Sequence, residues 1–244
     1  MPSARPPAPE PLAPLNIDER GRDADGAPAT SDRRLYVSLL LFDGARETAP
    51  LADALDASGL PGVLYADAHN PRGVGLLAFD EDPAFFIEAV RPFVNAGPFA
   101  ALTPLPERTL LGRTYTIGYE HDLHDVLVGR PRRRAADPAT PWHVWYPIRR
   151  AAAFELLPET EQRAMLMEHG GIGRRFGEAG LANDIRLACH GLDRDNADFI
   201  AGIVARTLTG ASALVQAMRR TQQTARFLEH MGPFFVGRAV WQRA

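Results

Sequence analysis

Short apolar runs alternating with helix-length segments constrain this chain most, because neither kind of segment can bury its apolar side alone. Arg34–Phe42 is strand-like and ends at Asp43 and Gly44, and Glu47–Ser58 spaces Leu51 and Leu55 for one helical face. Gly62–Ala66 and Gly73–Phe79 read as two more strands, separated by a turn at Asn70, Pro71 and Arg72. Asp82 caps a helix through about Val94, Arg113–Tyr119 reads as a strand, and His121–Val128 as a short helix. After an Arg-, Pro- and Ala-rich stretch the order recurs: strand Trp142–Arg149, helix Leu157–His169, strands Ile185–His190 and Phe199–Arg206, long helix Leu208–His230, strand Phe234–Val240. A β-α-β-β-α-β order present twice predicts an α+β fold of two ferredoxin-like halves. The halves are expected at 33–128 and 142–244, with 129–141 as a linker. Residues 1–32, rich in Pro, Ala, Asp and Arg without apolar periodicity, read as a disordered tail.

Composition narrows the partners. A net charge of −3 offers no footprint for nucleic acid, and the basic run at Arg130, Arg132, Arg133 and Arg134 reads as a solvated loop or a patch for carboxylates. Cys189 is the single cysteine, so no intrachain disulfide can form and a reducing compartment is expected. The N-terminus has no apolar leader and no stretch is apolar for the ~18 residues of a membrane span, so a cytoplasmic protein is expected.

The seven histidines match no zinc spacing, and no glycine-rich phosphate loop follows a strand. His121 and His124, beside Glu120, Asp122 and Asp125, have divalent-metal spacing but read better as a polar surface turn. His169 stands out. It closes the predicted helix just before Gly170 and Gly171, where an imidazole can turn off the helix end into an apolar space.

Five blocks then occur in order: Trp145-Tyr146-Pro147-Ile148-Arg149-Arg150, Met167-Glu168-His169-Gly170, Gly191-Leu192-Asp193, Met218-Arg219-Arg220, and Pro233-Phe234-Phe235-Val236-Gly237. Together they resemble the chlorite dismutase superfamily, which includes chlorite dismutases and the coproheme decarboxylases of haem biosynthesis. The motif match covers roughly residues 109–240, and the first half is similar mainly in element order.

The resemblance implies a dimeric α/β barrel type of fold with haem b or coproheme in the C-terminal half, and a homo-oligomer, commonly a pentamer. It makes His169 the proximal iron ligand, with Gln222 and Gln223 best placed to meet its second ring nitrogen. Tyr146 corresponds to the tyrosine that starts decarboxylation in coproheme decarboxylases. Two distal residues remain open: Asp184 by direct counting from Gly191, and Arg186 with a two-residue shift. Strand alternation puts both on one face, where they either meet the porphyrin or neutralise each other. Arg113, Arg149 and Arg150 are candidates for the porphyrin carboxylates. The function implied is peroxide-dependent decarboxylation of coproheme. A chlorite-decomposing or peroxidase-like enzyme is the alternative, and a non-catalytic haem binder or sensor is a third.

Overall fold

A computed structural model describes residues 14–244. Two short strands, β1 (Glu19–Arg22) and β2 (Pro28–Ser31), form an antiparallel hairpin. There follow β3 (Tyr36–Asp43), α1 (Ala49–Ser58), β4 (Gly62–Asp67) and β5 (Val74–Asp80). A π-helical turn at Phe86–Val90 runs into α2 (Arg91–Val94), and β6 (Thr103–Pro104) and β7 (Leu110–Thr114) complete the first half. Another π-helical turn, Asp125–Gly129, leads into α3 (Arg130–Ala135). The second half is β8 (Trp142–Arg150), α4 (Glu159–Glu178), β9 (Ala182–Ala188), β10 (Phe199–Ala205), α5 (Leu208–Met218), α6 (Gln222–Phe227), β11 (Leu228–Met231) and β12 (Phe235–Arg243).

The strands run in the order β10-β9-β7-β3-β5-β4-β12-β8, and antiparallel pairing of β10 with β8 closes the ring. Each half of the chain supplies four of the eight barrel strands. Alternate side chains point inward: Val37, Leu39, Val63, Tyr65, Leu77, Trp145, Leu187, Ile200 and Phe235 share one buried core. Closure gives each of the eight strands a neighbour on both sides, with β7 meeting β9 only at Leu187 and Ala188 and Arg134 meeting the Asp184 carbonyl beyond them.

The outer faces are covered separately. Leu51 and Leu55 of α1 pack with Leu64, Leu76 and Phe99 over the first half. Leu214 and Met218 of α5, with Ile172 and Phe176 of α4, pack on Val144, Tyr146 and Ile203 over the second. Gly202 lets the barrel fill its centre: a Cβ there would lie 2.3 Å from the Trp145 ring, so the indole rests on bare backbone.

Several local expectations are corrected. Residues 19–31 form the hairpin rather than a tail, because Glu19 is anchored by Arg34, Arg113 and Thr116; residues 1–13 lie outside the described residues. The expected linker contains α3, whose Pro131 and Ala135 are buried. The helix carrying His169 does not end there; it continues through Gly170 and Gly171 to Glu178, since Ile172 and Phe176 extend its packed face and outweigh the glycines' poor helix propensity. The long helix expected over Leu208–His230 breaks after Met218, where Thr221 caps α6, and its end becomes β11 on the edge of β8. The strand expected to reach Tyr119 ends at Thr114.

Candidate functional site

The outer face of β8, β9 and β10 is covered by α4 and α5. Register places Arg186, Ala201 and Tyr146 side by side across β9, β10 and β8, with Asp184, Ile203 and Val144 in the row below. Strand spacing sets the outer members of a row about 10 Å apart. The small Ala201 between them leaves a low floor flanked by a guanidinium and a phenol.

Tyr146 is buried and stacks on Phe234 with ring centroids 4.4 Å apart. Its hydroxyl makes no hydrogen bond among the described residues. Burial, reinforced by Asp184 and opposed by Arg219, pushes the phenol up to about 12, so it is protonated at neutral pH.

His169 enters from α4. Its Nδ1 lies 3.1 Å from Thr221 Oγ1 and 3.5 Å from Thr224 Oγ1. The Thr221 hydroxyl donates to the Met218 carbonyl at 2.8 Å, so toward His169 it presents a lone pair. Nδ1 therefore carries the ring hydrogen and donates it, while Nε2 keeps its lone pair and makes no hydrogen bond among the described residues. This is the tautomer a metal ligand requires. Burial holds the imidazole below its ordinary value; Asp184 opposes that shift, and Arg186 and Arg150 add to it. His169, Asp184, Arg186 and Arg150 thus lie within electrostatic reach of one another.

Asp184 and Arg186 do pair, at 3.7 Å, but each also has another partner. Arg134 donates to the Asp184 carbonyl at 2.6 Å and approaches its carboxylate at 3.3 Å. Arg186 also approaches Glu120 at 3.6 Å. Burial works against the Arg186 charge, yet Tyr115, Asp184 and Glu120 more than offset it, and the side chain remains 41% exposed. Glu120 is held in turn by the backbone N–H groups of Ile117, Gly118 and Tyr119.

The other candidates separate. Arg150 shares the Tyr146 face of β8, between the rings of Phe154 and Phe199 at 4.4 and 4.5 Å. Arg149 has the opposite parity on the strand and pairs with Glu229 at 3.6 Å, away from this face. Arg113 reaches the edge of the face but donates to Glu19 at 2.8 Å. Neither glutamine meets His169 Nδ1: Gln222 offers only its backbone N–H to Glu168, and Gln223 Oε1 is buried without a partner. Thr221, missed in the sequence, takes that place. Its signal was present, a threonine opening a helix directly after the paired Arg219 and Arg220.

The residues present fit an iron porphyrin. His169 offers a free Nε2 in the ligand tautomer, and Arg150 Nε and Gln223 Oε1 are buried polar atoms without hydrogen-bond partners among the described residues. Among those residues no three His, Cys, Asp or Glu side chains gather as metal ligands, so His121 and His124 do not form such a site. No described helix is long and apolar enough to cross a membrane.

Comparison with known proteins agrees with the motifs. Residues 127–240 match the family model described as chlorite dismutase. A haem-binding protein from Thermus thermophilus superposes with a TM-score of 0.65 at 17% identity, covering 85% of this chain and 91% of that one. A point variant of chlorite dismutase from Candidatus Nitrospira defluvii superposes at 0.64 with 14% identity, covering 86% and 92%. The same enzyme in complex with imidazole gives 0.63 at 15%, again covering 86% and 92%. At these identities the structural likenesses show the fold. No curated protein matches the sequence.

Proposed function

We propose that this chain, which carries the signature and fold of the chlorite dismutase superfamily, is a haem-dependent oxidoreductase that decarboxylates coproheme with hydrogen peroxide. The observation carrying this reading is Tyr146, a buried phenol on the sheet face covered by α4 and α5, with no hydrogen-bond partner for its hydroxyl among the described residues and Arg186 in the same cross-strand row.

The iron porphyrin, when bound, supplies both the redox centre that reduces peroxide and the carboxylates to be lost. In each step a propionate, peroxide and a proton become a vinyl group, carbon dioxide and two waters. His169 Nε2 holds the iron, while Thr221 fixes the ring orientation through Nδ1. Arg150, whose Nη1 pairs with Glu155 at 3.3 Å and whose Nε has no hydrogen-bond partner among the described residues, would hold a propionate. Tyr146, neutral up to about pH 12, is able to yield its hydroxyl hydrogen and an electron together. Arg186, kept charged between Glu120 and Asp184, holds an anionic oxygen in place.

Arg186 also supports a second reading, chlorite decomposition, because an exposed guanidinium on this face suits an oxyanion substrate. Mass spectrometry of porphyrin extracted after coproheme and peroxide treatment separates the two. Decarboxylation predicts losses of one formic-acid equivalent per step in the wild type and none in Tyr146→Phe with porphyrin bound. Unchanged mass in the wild type, or equal losses in both proteins, contradicts it.

A further inference from the structure

Three polar side chains in the barrel core take no part in the site just described. His143 is fully buried, with Nδ1 2.7 Å from the Tyr65 hydroxyl and Nε2 3.0 Å from the Thr140 carbonyl. A carbonyl only accepts, so Nε2 carries the ring hydrogen and Nδ1 accepts from the Tyr65 O–H. Trp145 Nε1–H points to the Tyr65 oxygen at 3.4 Å. The result is one directed chain, from indole N–H to phenol O–H to an imidazole lone pair. Burial pushes His143 down to about 4 and raises Tyr65, so both are neutral at rest.

The chain ends one residue from the candidate site. Trp145 and Tyr146 are successive residues of β8, one facing into the barrel and the other facing the helices α4 and α5 outside it. A phenol hydrogen-bonded to an unprotonated imidazole is easier to oxidise than a free one, because its proton has a place to go as the electron leaves. An isolated hole in the apolar core lacks that relief.

We propose that Trp145, Tyr65 and His143 form a proton-coupled trap for oxidising equivalents that escape the Tyr146 site. Its oxidant is the porphyrin site after reaction with hydrogen peroxide, and for that source alone the trap rests on the preceding proposal. Trp145 gives up one electron and regains one from Tyr65. The Tyr65 O–H bond breaks and its proton moves to Nδ1 of His143, leaving a neutral phenoxyl radical beside an imidazolium. No other bond changes, and re-reduction of Tyr65 returns the proton.

The test uses the full chain without porphyrin. Azide radicals generated by pulse radiolysis oxidise tryptophan, entering at the partly exposed Trp142 and Trp241. In the wild type the indolyl band converts to the phenoxyl band, and more slowly in D2O than in H2O. Tyr65→Phe lowers the phenoxyl yield by more than half. His143→Gln slows the conversion several-fold and removes the isotope effect. A phenoxyl yield in Tyr65→Phe equal to that of the wild type overturns the proposal. So does the absence of an isotope effect in the wild type, a result that needs no variant to fold. Failure here leaves the porphyrin reading standing, and failure of porphyrin binding leaves this measurement unaffected.

Discussion

His169 and Thr221 stand on different helical segments and meet through Nδ1 and Oγ1 at 3.1 Å, which fixes the imidazole tautomer from outside the helix that carries it. The acceptor is a neutral hydroxyl whose own hydrogen is committed to Met218. Removing it leaves Nδ1–H without its closest partner. Thr221→Val is therefore expected to weaken porphyrin binding by about 10-fold or more, while Thr221→Asp makes the ring more basic and lowers the iron reduction potential. Absorbance titration and potentiometry check both. Unchanged affinity and potential in the two variants would remove Thr221 from the account.

Acid should destabilise the barrel through His143. Its folded value, about 4, lies below the ordinary imidazole value of 6.5, so its contribution is fully present above 6.5 and is lost as pH falls through the folded value. At one pKa unit per ~1.4 kcal/mol, the loss is about 3 kcal/mol. Denaturant unfolding at a series of pH values should show stability falling below pH 6.5, with a shallower fall in His143→Gln. Identical slopes in the two proteins would contradict this.

Gly202→Ala places a methyl group against the Trp145 ring, where an ideal Cβ lies 2.3 Å from Cζ3. The barrel is closed and packed, so overpacking should cost about 1–3 kcal/mol. Thermal unfolding and the near-ultraviolet dichroism of the indole report it. A variant with unchanged melting and unchanged dichroism would show that the ring has room to move.

Glu19 ties the N-terminal hairpin to the barrel, accepting from Arg34, Arg113 and the N–H of Thr116, whose hydroxyl donates to the Arg20 carbonyl at 2.7 Å. Glu19→Gln should cost about 2 kcal/mol, because charged hydrogen bonds are lost from a largely buried cluster. For a chain of this size that is roughly 4–8 °C in Tm. Calorimetry checks it, and an unshifted Tm would mean the hairpin rests on the barrel without supporting it.

The α+β class and the doubled element order were legible because apolar runs and turn residues are local signals. Tyr146 and His169 were singled out by their motif blocks and remain proposals, while the shared face of Asp184 and Arg186 was legible from strand alternation. What decided the remaining candidates was not local. Arg113 is neutralised by Glu19, from a segment that in sequence looks like a tail. Arg149 lost its place to strand parity. The glutamines lost theirs to Thr221 because an expected single helix breaks after Met218, a break stabilised by a cap and by β11 pairing with β8. The glycines beside His169 point in sequence to a helix end, and only packing of Ile172 and Phe176 against the sheet shows why the helix continues.

Absorbance titration of the purified chain and of His169→Ala with coproheme and haem b tests the central claim most directly. The wild type should develop a sharp Soret band that saturates at one porphyrin per chain, and His169→Ala should lose that band or bind far more weakly with an altered spectrum. Equal saturation and identical spectra in the two proteins would contradict His169 as the iron ligand, and no band in the wild type would contradict the haem assignment itself.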